Sequence, residues 1–232
     1  MKEKIAAIIL AGGRGSRMHS DVPKQYMEVS GRPLLYYTLK AFEDSEVEEI
    51  ILVAGENDLD YCRTEIVEKF QFHKVKHITA GGRERYHSVY AGLRAVSDAD
   101  YVLIHDGARP LVSQEIIGRN ICEVRQCKAC VTAVPAKDTV RISDGTCYAV
   151  YTPDRSRVWL MQTPQTFQYS LIIKAYEQLM AHEISGITDD AMVVETCLKF
   201  PVKFVEGDYR NIKVTTPEDM VLIQYFVSEH GN

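Results

Sequence analysis

The sequence predicts an α/β domain in which helices cover both faces of a mostly parallel sheet. Short β-branched segments alternate along the chain with longer segments whose apolar residues recur at helical spacing, a pattern typical of this class. The chain has 232 residues, of which 46% are hydrophobic and 25% charged, so a single domain can bury a full core. We therefore expect a Rossmann-like three-layer sandwich over residues 1–232, with a β-hairpin arm inserted at about 137–158.

Six segments are predicted to be core strands, because each is short and rich in β-branched residues. In chain order they are Ile5–Leu10, Ile50–Val53, Lys76–Thr79, Tyr101–His105, Val131–Val134 and Val202–Val205. Helical spacing of apolar residues predicts five helices: Pro33–Phe42, Leu59–Phe70, Arg85–Ala95, Gln114–Gln126 and Leu171–His182. Capping residues predict two further helix starts, at Thr188-Asp189-Asp190 and Thr216-Pro217-Glu218-Asp219.

One stretch breaks this alternation. Residues Thr139–Val150 alternate as strands do, around the turn signal Ser143-Asp144-Gly145. An isolated hairpin is marginally stable in water, so we expect it to pack on its own core or on a second subunit. The second option predicts a homodimer held together through the arm.

Composition and charge exclude several classes of protein. The chain carries 27 Lys and Arg against 32 Asp and Glu, a formal charge of −5, whereas a general nucleic-acid binder usually shows a basic excess. No apolar run approaches the roughly 18 residues of a membrane span, and no signal-peptide pattern is present. We expect a cytoplasmic protein with reduced cysteines, in which Cys127 and Cys130 lack the partners of a zinc site.

A glycine-rich turn follows the first predicted strand, in the segment Leu10-Ala11-Gly12-Gly13-Arg14-Gly15-Ser16-Arg17-Met18. Glycines let backbone N–H groups approach an anion, and open α/β sheets bind ligands at the carboxyl ends of their strands. Arg14, Arg17 and Lys24 add positive charge nearby. The segment therefore predicts a polyphosphate site. Neither the dinucleotide fingerprint nor the P-loop fits, since Met18 replaces a small residue and Gly-Lys-Ser/Thr is missing.

Asp106 comes directly after the predicted strand Tyr101–His105. At the carboxyl end of a strand, a carboxylate can contribute to an Mg²⁺ site. An isolated acid in this place can equally be a turn or cap residue. The sequence position leaves both interpretations open.

Further blocks follow the glycine turn in a fixed order. They are Pro23-Lys24-Gln25, His105-Asp106-Gly107-Ala108-Arg109-Pro110, Pro135-x-Lys137-Asp138-Thr139, Asp154-Arg155 with Trp159, Gln162-Thr163-Pro164-Gln165-x-Phe167, Thr188-Asp189-Asp190 and Asn211-Ile212-Lys213-Val214-Thr215. From about residue 5 to residue 225, the chain thus resembles the 2-C-methyl-D-erythritol 4-phosphate cytidylyltransferase family of sugar-phosphate nucleotidylyltransferases.

The resemblance implies transfer of CMP from CTP to methylerythritol phosphate with Mg²⁺, in non-mevalonate isoprenoid synthesis. It makes Arg17 and Lys24 the pair that stabilises charge on the α-phosphate and pyrophosphate, and Arg155 and Lys213 the pair that holds the acceptor phosphate. The implied nucleotide contacts are Leu10, Ala11, Gly12, Gly13, Gly15, Gly81, Gly82 and Ser88. The implied acceptor contacts are Asp106, Arg109, Asp138, Thr139 and Thr163, with Asp106 also the expected metal ligand.

Two departures from the family pattern leave alternatives open. Arg83 stands where the family often has Asp, and Leu10-Ala11-Gly12-Gly13 is a variant that also occurs in the related ribitol 5-phosphate cytidylyltransferases. Ribitol 5-phosphate is therefore the alternative acceptor. A third hypothesis is a non-catalytic nucleotide-binding regulator, whose expected mark is the loss of Arg17, Lys24 or Lys213; all three are present.

Overall fold

A seven-stranded sheet forms the centre of the computed structural model, which describes residues 3–13, 18, 22–182, 184 and 186–229. The strands are β1 (Ile5–Ala11), β2 (Glu28–Val29), β3 (Arg32–Pro33), β4 (Glu49–Ala54), β5 (Val75–Ala80), β6 (Tyr101–Asp106), β7 (Ala129–Pro135), β8 (Ile142–Ser143), β9 (Ala149–Tyr151), β10 (Trp159–Gln168) and β11 (Lys203–Glu206). The helices are α1 (Leu34–Glu43), α2 (Leu59–Tyr61, continued as a π-helix over Cys62–Glu68), α3 (Arg85–Ala95), α4 (Gln114–Cys127), α5 (Tyr169–His182), α6 (Asp190–Leu198) and α7 (Pro217–Glu229).

The strand order in the sheet is β11-β7-β10-β6-β1-β4-β5. Strand β10 runs antiparallel to both of its neighbours, β6 and β7, and every other pair in this sheet is parallel. The mostly parallel α/β sheet is confirmed, whereas β10 was not predicted. Polar residues and a proline, Gln162-Thr163-Pro164-Gln165, interrupt its apolar pattern, and the register shifts between Met161 and Gln165.

The two faces of β1 separate the core into two layers. Ile5, Ala7 and Ile9 pack in a cluster with α1, α2 and α4, while Ala6 and Ile8 pack in a second cluster with α3, α5 and α6. Because side chains alternate along a strand, five consecutive apolar residues can fill both layers. The observed layers are those of the predicted three-layer sandwich.

Helix starts follow the capping residues that the sequence contains. The Ser113 side chain accepts a hydrogen bond from the N–H of Ile116 at the start of α4, and Asp189 accepts one from Met192 at the start of α6. No helix among the described residues is long and apolar enough to cross a membrane.

The inserted hairpin is present as β8 and β9, which pair with each other and with no other strand. Every residue from Arg141 to Thr152 is exposed, including Tyr148 at 75% and Val150 at 68%. Packing of the arm on its own core, one of the two options predicted, is therefore wrong. Packing on a second subunit stays a prediction.

Candidate active site

A cleft of about 250 Å³ lies at the carboxyl ends of β1 and β6, beside the loop that follows β5. This is the edge of the sheet at which the sequence predicts ligand binding. Predicted site residues that line it are Leu10, Ala11, Gly12, Gly13, Lys24, Gly82, Ser88, Asp106 and Lys213. Arg17 and Gly15, which were also predicted, lie outside the described residues, as does Arg14.

The loop after β5 packs directly against the first turn of α3. A Cβ on Gly81 would lie 2.7 Å from the Ser88 hydroxyl oxygen, and one on Gly82 would lie 2.4 Å from the His87 Cβ. The Gly82 N–H donates a hydrogen bond to the Ser88 hydroxyl at 3.1 Å. A side chain at either position would therefore displace Ser88 or His87 on the first turn of α3, and glycine allows this close approach of the loop backbone beside the cleft.

Lys24 connects the opposite wall of the cleft to the segment before α7. It begins a short 3₁₀ turn, Lys24–Tyr26, and its ammonium donates to the Val214 carbonyl at 2.7 Å. Next to it, the Gln25 amide donates to the carbonyl of Ala11 at the end of β1, at 2.6 Å. These two contacts fix Lys24 beside the glycine-lined end of the strand.

Asp106, the last residue of β6, is surrounded by three cations. Lys213 Nζ lies 2.8 Å from Oδ2 of Asp106. Arg85 Nε lies 3.6 Å from Oδ1, and Arg109 Nε lies 3.7 Å from Oδ2. Residues from three separate parts of the chain thus meet at the Asp106 carboxylate.

The charges around Asp106 determine its ionisation. Burial alone would raise the pKa of this carboxyl, but Arg85, Lys213 and Arg109 outweigh burial and hold the pKa below its usual range. Burial lowers the pKa of Arg109, an effect that Asp106 partly offsets. Asp106 is therefore ionised across the neutral range and organises the cations that face it.

Behind Asp106, a chain of hydrogen bonds supports the end of β6. The Asp106 N–H donates to the Thr163 hydroxyl at 3.1 Å, and this hydroxyl is 3.0 Å from His105 Nδ1. His105 Nε2 lies 3.2 Å from the Arg109 carbonyl, and burial lowers the His105 pKa to about 3. A neutral imidazole can accept from Thr163 and donate to this carbonyl. Thr163, a predicted acceptor contact, lies behind Asp106 and does not line the cleft.

Arg109 holds the segment that carries Lys213. Its guanidinium donates to the Asn211 carbonyl at 2.7 Å, and the Asn211 side chain donates to the Thr163 carbonyl at 2.9 Å. The Nε of Arg109 is buried without a hydrogen-bond partner. Arg109 therefore reaches the site through Asp106 and the Asn211 backbone.

Two residues of the site were missed by the sequence analysis. The guanidinium of Arg85, the first residue of α3, donates to both carboxylate oxygens of Asp190, each at 2.8 Å. The Tyr176 hydroxyl donates to the same carboxylate at 2.5 Å. The sequence pointed to Arg85 only through its place in Gly81-Gly82-Arg83-Glu84-Arg85. Its partner, Asp190, is 105 residues away in sequence, so the pairing could not be predicted. Tyr176 gave no signal beyond that of an apolar helix face.

Three predicted acceptor residues lie on the arm and away from this cleft. Asp138, Thr139 and Arg155 are exposed and do not line it. The Arg155 guanidinium donates to the Lys137 carbonyl at 3.1 Å, across the base of the arm. Within one chain, the structure therefore brings together Lys24, Asp106 and Lys213 but not Arg155.

The donor set limits how a metal can bind. Among the described residues, no group of three or more His, Cys, Asp or Glu side chains is placed to hold a metal ion. Magnesium commonly binds through one or two carboxylates together with substrate phosphates. Asp106 fits such a shared site because it is a carboxylate at the cleft, and the contact of its Oδ1 among the described residues is the longer one, 3.6 Å to Arg85 Nε.

This arrangement suits a reaction on phosphate. Exposed glycine backbone and two lysine ammonium groups face the same cleft, where they can bind and neutralise a polyphosphate. Phosphoryl and nucleotidyl transfer depend mainly on positioning and on stabilising negative charge, and so need no nucleophilic side chain.

Comparisons with known proteins agree with this chemistry. The family model for 2-C-methyl-D-erythritol 4-phosphate cytidylyltransferase matches residues 5–229. Proteins of that name from Lachnoclostridium phytofermentans and Lachnospira eligens are 48% and 50% identical to this chain, covering 98% and 95% of it and 98% of each relative. The crystal structure of the 4-diphosphocytidyl-2C-methyl-D-erythritol synthase from Anaerococcus prevotii is similar over 97% of this chain and 96% of that one, with a TM-score of 0.85 at 37% identity. The cytidylyltransferase structure from Thermus thermophilus has a TM-score of 0.78 at 29% identity, covering 95% of this chain and 98% of its own.

Proposed function

Because the chain belongs to the 2-C-methyl-D-erythritol 4-phosphate cytidylyltransferase family, we propose that it transfers the cytidylyl group of CTP to 2-C-methyl-D-erythritol 4-phosphate. A phosphate oxygen of the acceptor attacks the α-phosphorus of CTP, and the bond to the β-phosphate oxygen breaks. The products are 4-diphosphocytidyl-2-C-methyl-D-erythritol and pyrophosphate. This is a step in the supply of isoprenoid precursors.

One observation carries the proposal: Lys24 and Lys213 line the same glycine-walled cleft at the carboxyl end of β1 and β6. Negative charge develops on the transferred phosphorus and on the leaving pyrophosphate, so cations fixed before the reaction lower its barrier. In this proposal Lys24 faces the CTP phosphates, and the family resemblance assigns Arg17 to the same phosphates. Lys213, held by Asp106, faces the phosphate of the acceptor.

The nucleotide side of the cleft is formed by backbone. In this proposal the backbone of Leu10–Gly13 binds the triphosphate, and Gly82 and Ser88, which line the same cleft, contact the base and ribose. Arg83 also lines the cleft, with a side chain that is 92% exposed. Mg²⁺ is the proposed cofactor, held by the CTP phosphates with Asp106; when bound, it neutralises part of the phosphate charge.

The alternative acceptor, ribitol 5-phosphate, keeps the same chemistry and nucleotide site. The relatives reported above carry the methylerythritol phosphate name, which favours that acceptor over ribitol phosphate. The same relatives are cytidylyltransferases by name, which also disfavours a non-catalytic regulator.

We also propose that the arm formed by β8 and β9 holds two copies of the chain together. Apolar side chains are exposed along it, and an unsupported two-stranded hairpin is marginal in water. Asp138, Thr139 and Arg155 would then meet the cleft of a neighbouring copy. A monomeric mass in solution with undiminished activity would overturn this part of the proposal. A cytoplasmic location also stays a prediction, which cell fractionation would test.

The activity test measures pyrophosphate release by the purified protein with CTP and Mg²⁺, using methylerythritol 4-phosphate and ribitol 5-phosphate in parallel. Selective turnover of the first is the expected result. Selective turnover of the second would replace the acceptor and leave the nucleotide site as proposed. No pyrophosphate release with either acceptor would favour the non-catalytic nucleotide-binding regulator.

A further inference from the structure

A line of four side chains runs from the interior to the cleft: Tyr176, Asp190, Arg85 and Asp106, here called the Arg85 bridge. Tyr176 and Asp190 are fully buried, at 0% exposure, and the side chain of Arg85 is 28% exposed. The bridge joins α3 and β6 to α5 and α6, two pairs of consecutive elements that are far apart in sequence.

Asp190 is not needed to begin its helix. The preceding residue, Asp189, caps α6 by accepting from the Met192 N–H at 2.9 Å. A buried carboxylate is costly unless it is paired and hydrogen-bonded, and among the described residues Tyr176 and Arg85 supply the hydrogen bonds to the Asp190 carboxylate. Its charge is therefore directed at Arg85.

Because the guanidinium is planar, its pairing with Asp190 fixes the orientation of the Arg85 side chain. Both terminal nitrogens of Arg85 bind Asp190, and its Nε lies 3.6 Å from Oδ1 of Asp106. The other oxygen of Asp106 then faces Lys213 at 2.8 Å. If Asp190 lost its charge, Asp106 would be the carboxylate left to pair with Arg85. Arg85 would then draw the Asp106 side chain away from Lys213.

The bridge also spans the two halves of the site. Arg85 directly follows Gly81–Glu84, the loop on the nucleotide side. Asp106 and Lys213 lie on the acceptor side. Because Arg85 forms its ion pairs with Asp190 and Asp106, a displacement of Arg85 changes the charge pairing of the carboxylate on the acceptor side.

We propose that Asp190 is a positioning residue for the acceptor: through Arg85 it fixes Asp106, and through Asp106 it fixes Lys213. The inference deepens the proposed function and rests on it for the identity of the acceptor. In this proposal Asp190 does not contact either substrate. Its substitution changes binding of the acceptor at the subsite that Lys213 forms.

The kinetic test compares D190N with D189N. Both changes remove one negative charge at the start of α6, and asparagine caps a helix as well as aspartate does, so general effects on the helix appear in both variants. We expect D190N to lower kcat/KM for the acceptor about 30-fold, mainly through KM, with the CTP dissociation constant within about threefold of wild type. D189N should keep the wild-type acceptor KM. Equal acceptor effects in both variants, or an equal loss of CTP affinity in D190N, would overturn the proposal.

Because D190N leaves Arg85 underpaired in the interior, it could fail to fold. Y176F removes only the hydroxyl that holds Asp190 and gives a second, milder test. We expect a rise of about threefold in the acceptor KM, with the CTP dissociation constant unchanged. If Y176F folds with a lowered Tm but keeps the wild-type acceptor KM, the Arg85 bridge contributes to stability alone. That result would overturn the proposal.

A crystal structure of the folded variant separates this inference from the proposed function. The distance from Lys213 Nζ to Asp106 Oδ2, now 2.8 Å, should lengthen beyond hydrogen-bond range in D190N or increase in Y176F. An unchanged distance in both variants would overturn the bridge. If wild-type protein turned over neither acceptor, the proposed function would fail while this distance still tested the positioning.

Discussion

The cleft and the arm differ in how far a single chain organises them. Around the cleft, Asp106, Lys213 and Arg109 are tied together by ion pairs and by hydrogen bonds to buried backbone. On the arm, the Arg155 guanidinium donates to the carbonyl of Lys137 in a neighbouring loop, and every residue of the hairpin is exposed. The comparison indicates that the cleft around Asp106 is preformed within one chain, whereas the arm residues act, in the proposal, only against the surface of a second copy.

The largest expected effect tests the preformed half. K24A should lower kcat roughly 100- to 1,000-fold, because it removes a fixed cation aimed at developing charge. Acceptor KM should change far less. Steady-state pyrophosphate release measures both. The matched control is K40A, since Lys40 pairs only with Asp44 on the exposed side of α1. A normal kcat in K24A would remove Lys24 from the catalytic machinery.

The next effect tests the arm. R155A should raise the acceptor KM about 30-fold and leave CTP affinity nearly intact, since a lost charged contact to phosphate costs about 2 kcal/mol. Acceptor titration and calorimetric CTP binding separate the two. R157A is the control, on the same short turn of the arm. Equal loss of CTP affinity in R155A would place Arg155 on the nucleotide side.

A third effect concerns what the arm packs against. Replacing Tyr148 and Val150 together by Ser should weaken a dimer strongly, because burying such side chains contributes about 1.5–3 kcal/mol each. Light scattering over a concentration series should show dimer for wild type and a shift to monomer for the variant. A wild-type mass equal to one chain at every concentration would contradict the arm as an interface.

The smallest effect is the pH dependence of the free energy of unfolding. We expect it to come from the buried His105 behind the cleft and not from the arm. The His105 pKa is about 3 in the folded chain, because of burial, and near 6.5 in an unfolded one. The unfolded state therefore binds one more proton between these values, and the free energy of unfolding falls as pH drops, by at most about 1.4 kcal/mol per unit. Urea unfolding in metal-free buffer should show this pH dependence of the free energy of unfolding from pH 6.5 to 4.5. In H105N the slope should be smaller by the contribution of about one proton. An identical slope in both proteins would contradict a buried neutral His105.

Local pattern was sufficient to predict most of the fold and part of the site. Parallel strands, capped helices and the glycine turn each have a short-range signature, and the predicted Lys24, Asp106 and Lys213 do meet at one cleft. Strand β10 was missed, because its polar and proline-containing middle matches no strand template. Arg85 and Tyr176 were missed for another reason: they are defined by partners far along the chain, which spacing cannot reveal.

The position of β10 also bears on the order in which the protein can assemble during synthesis. Strand β7 pairs only with β10 and β11, and both are made after it. A nascent chain that has emerged as far as the arm can therefore pair β5, β4, β1 and β6, but its β7 has no neighbour and β6 has an open edge. Completion of the sheet waits for Trp159–Gln168, and the acceptor cation Lys213 arrives later still. Until Trp159–Gln168 has been made, one edge of β6 and both edges of β7 therefore lack their partner strands.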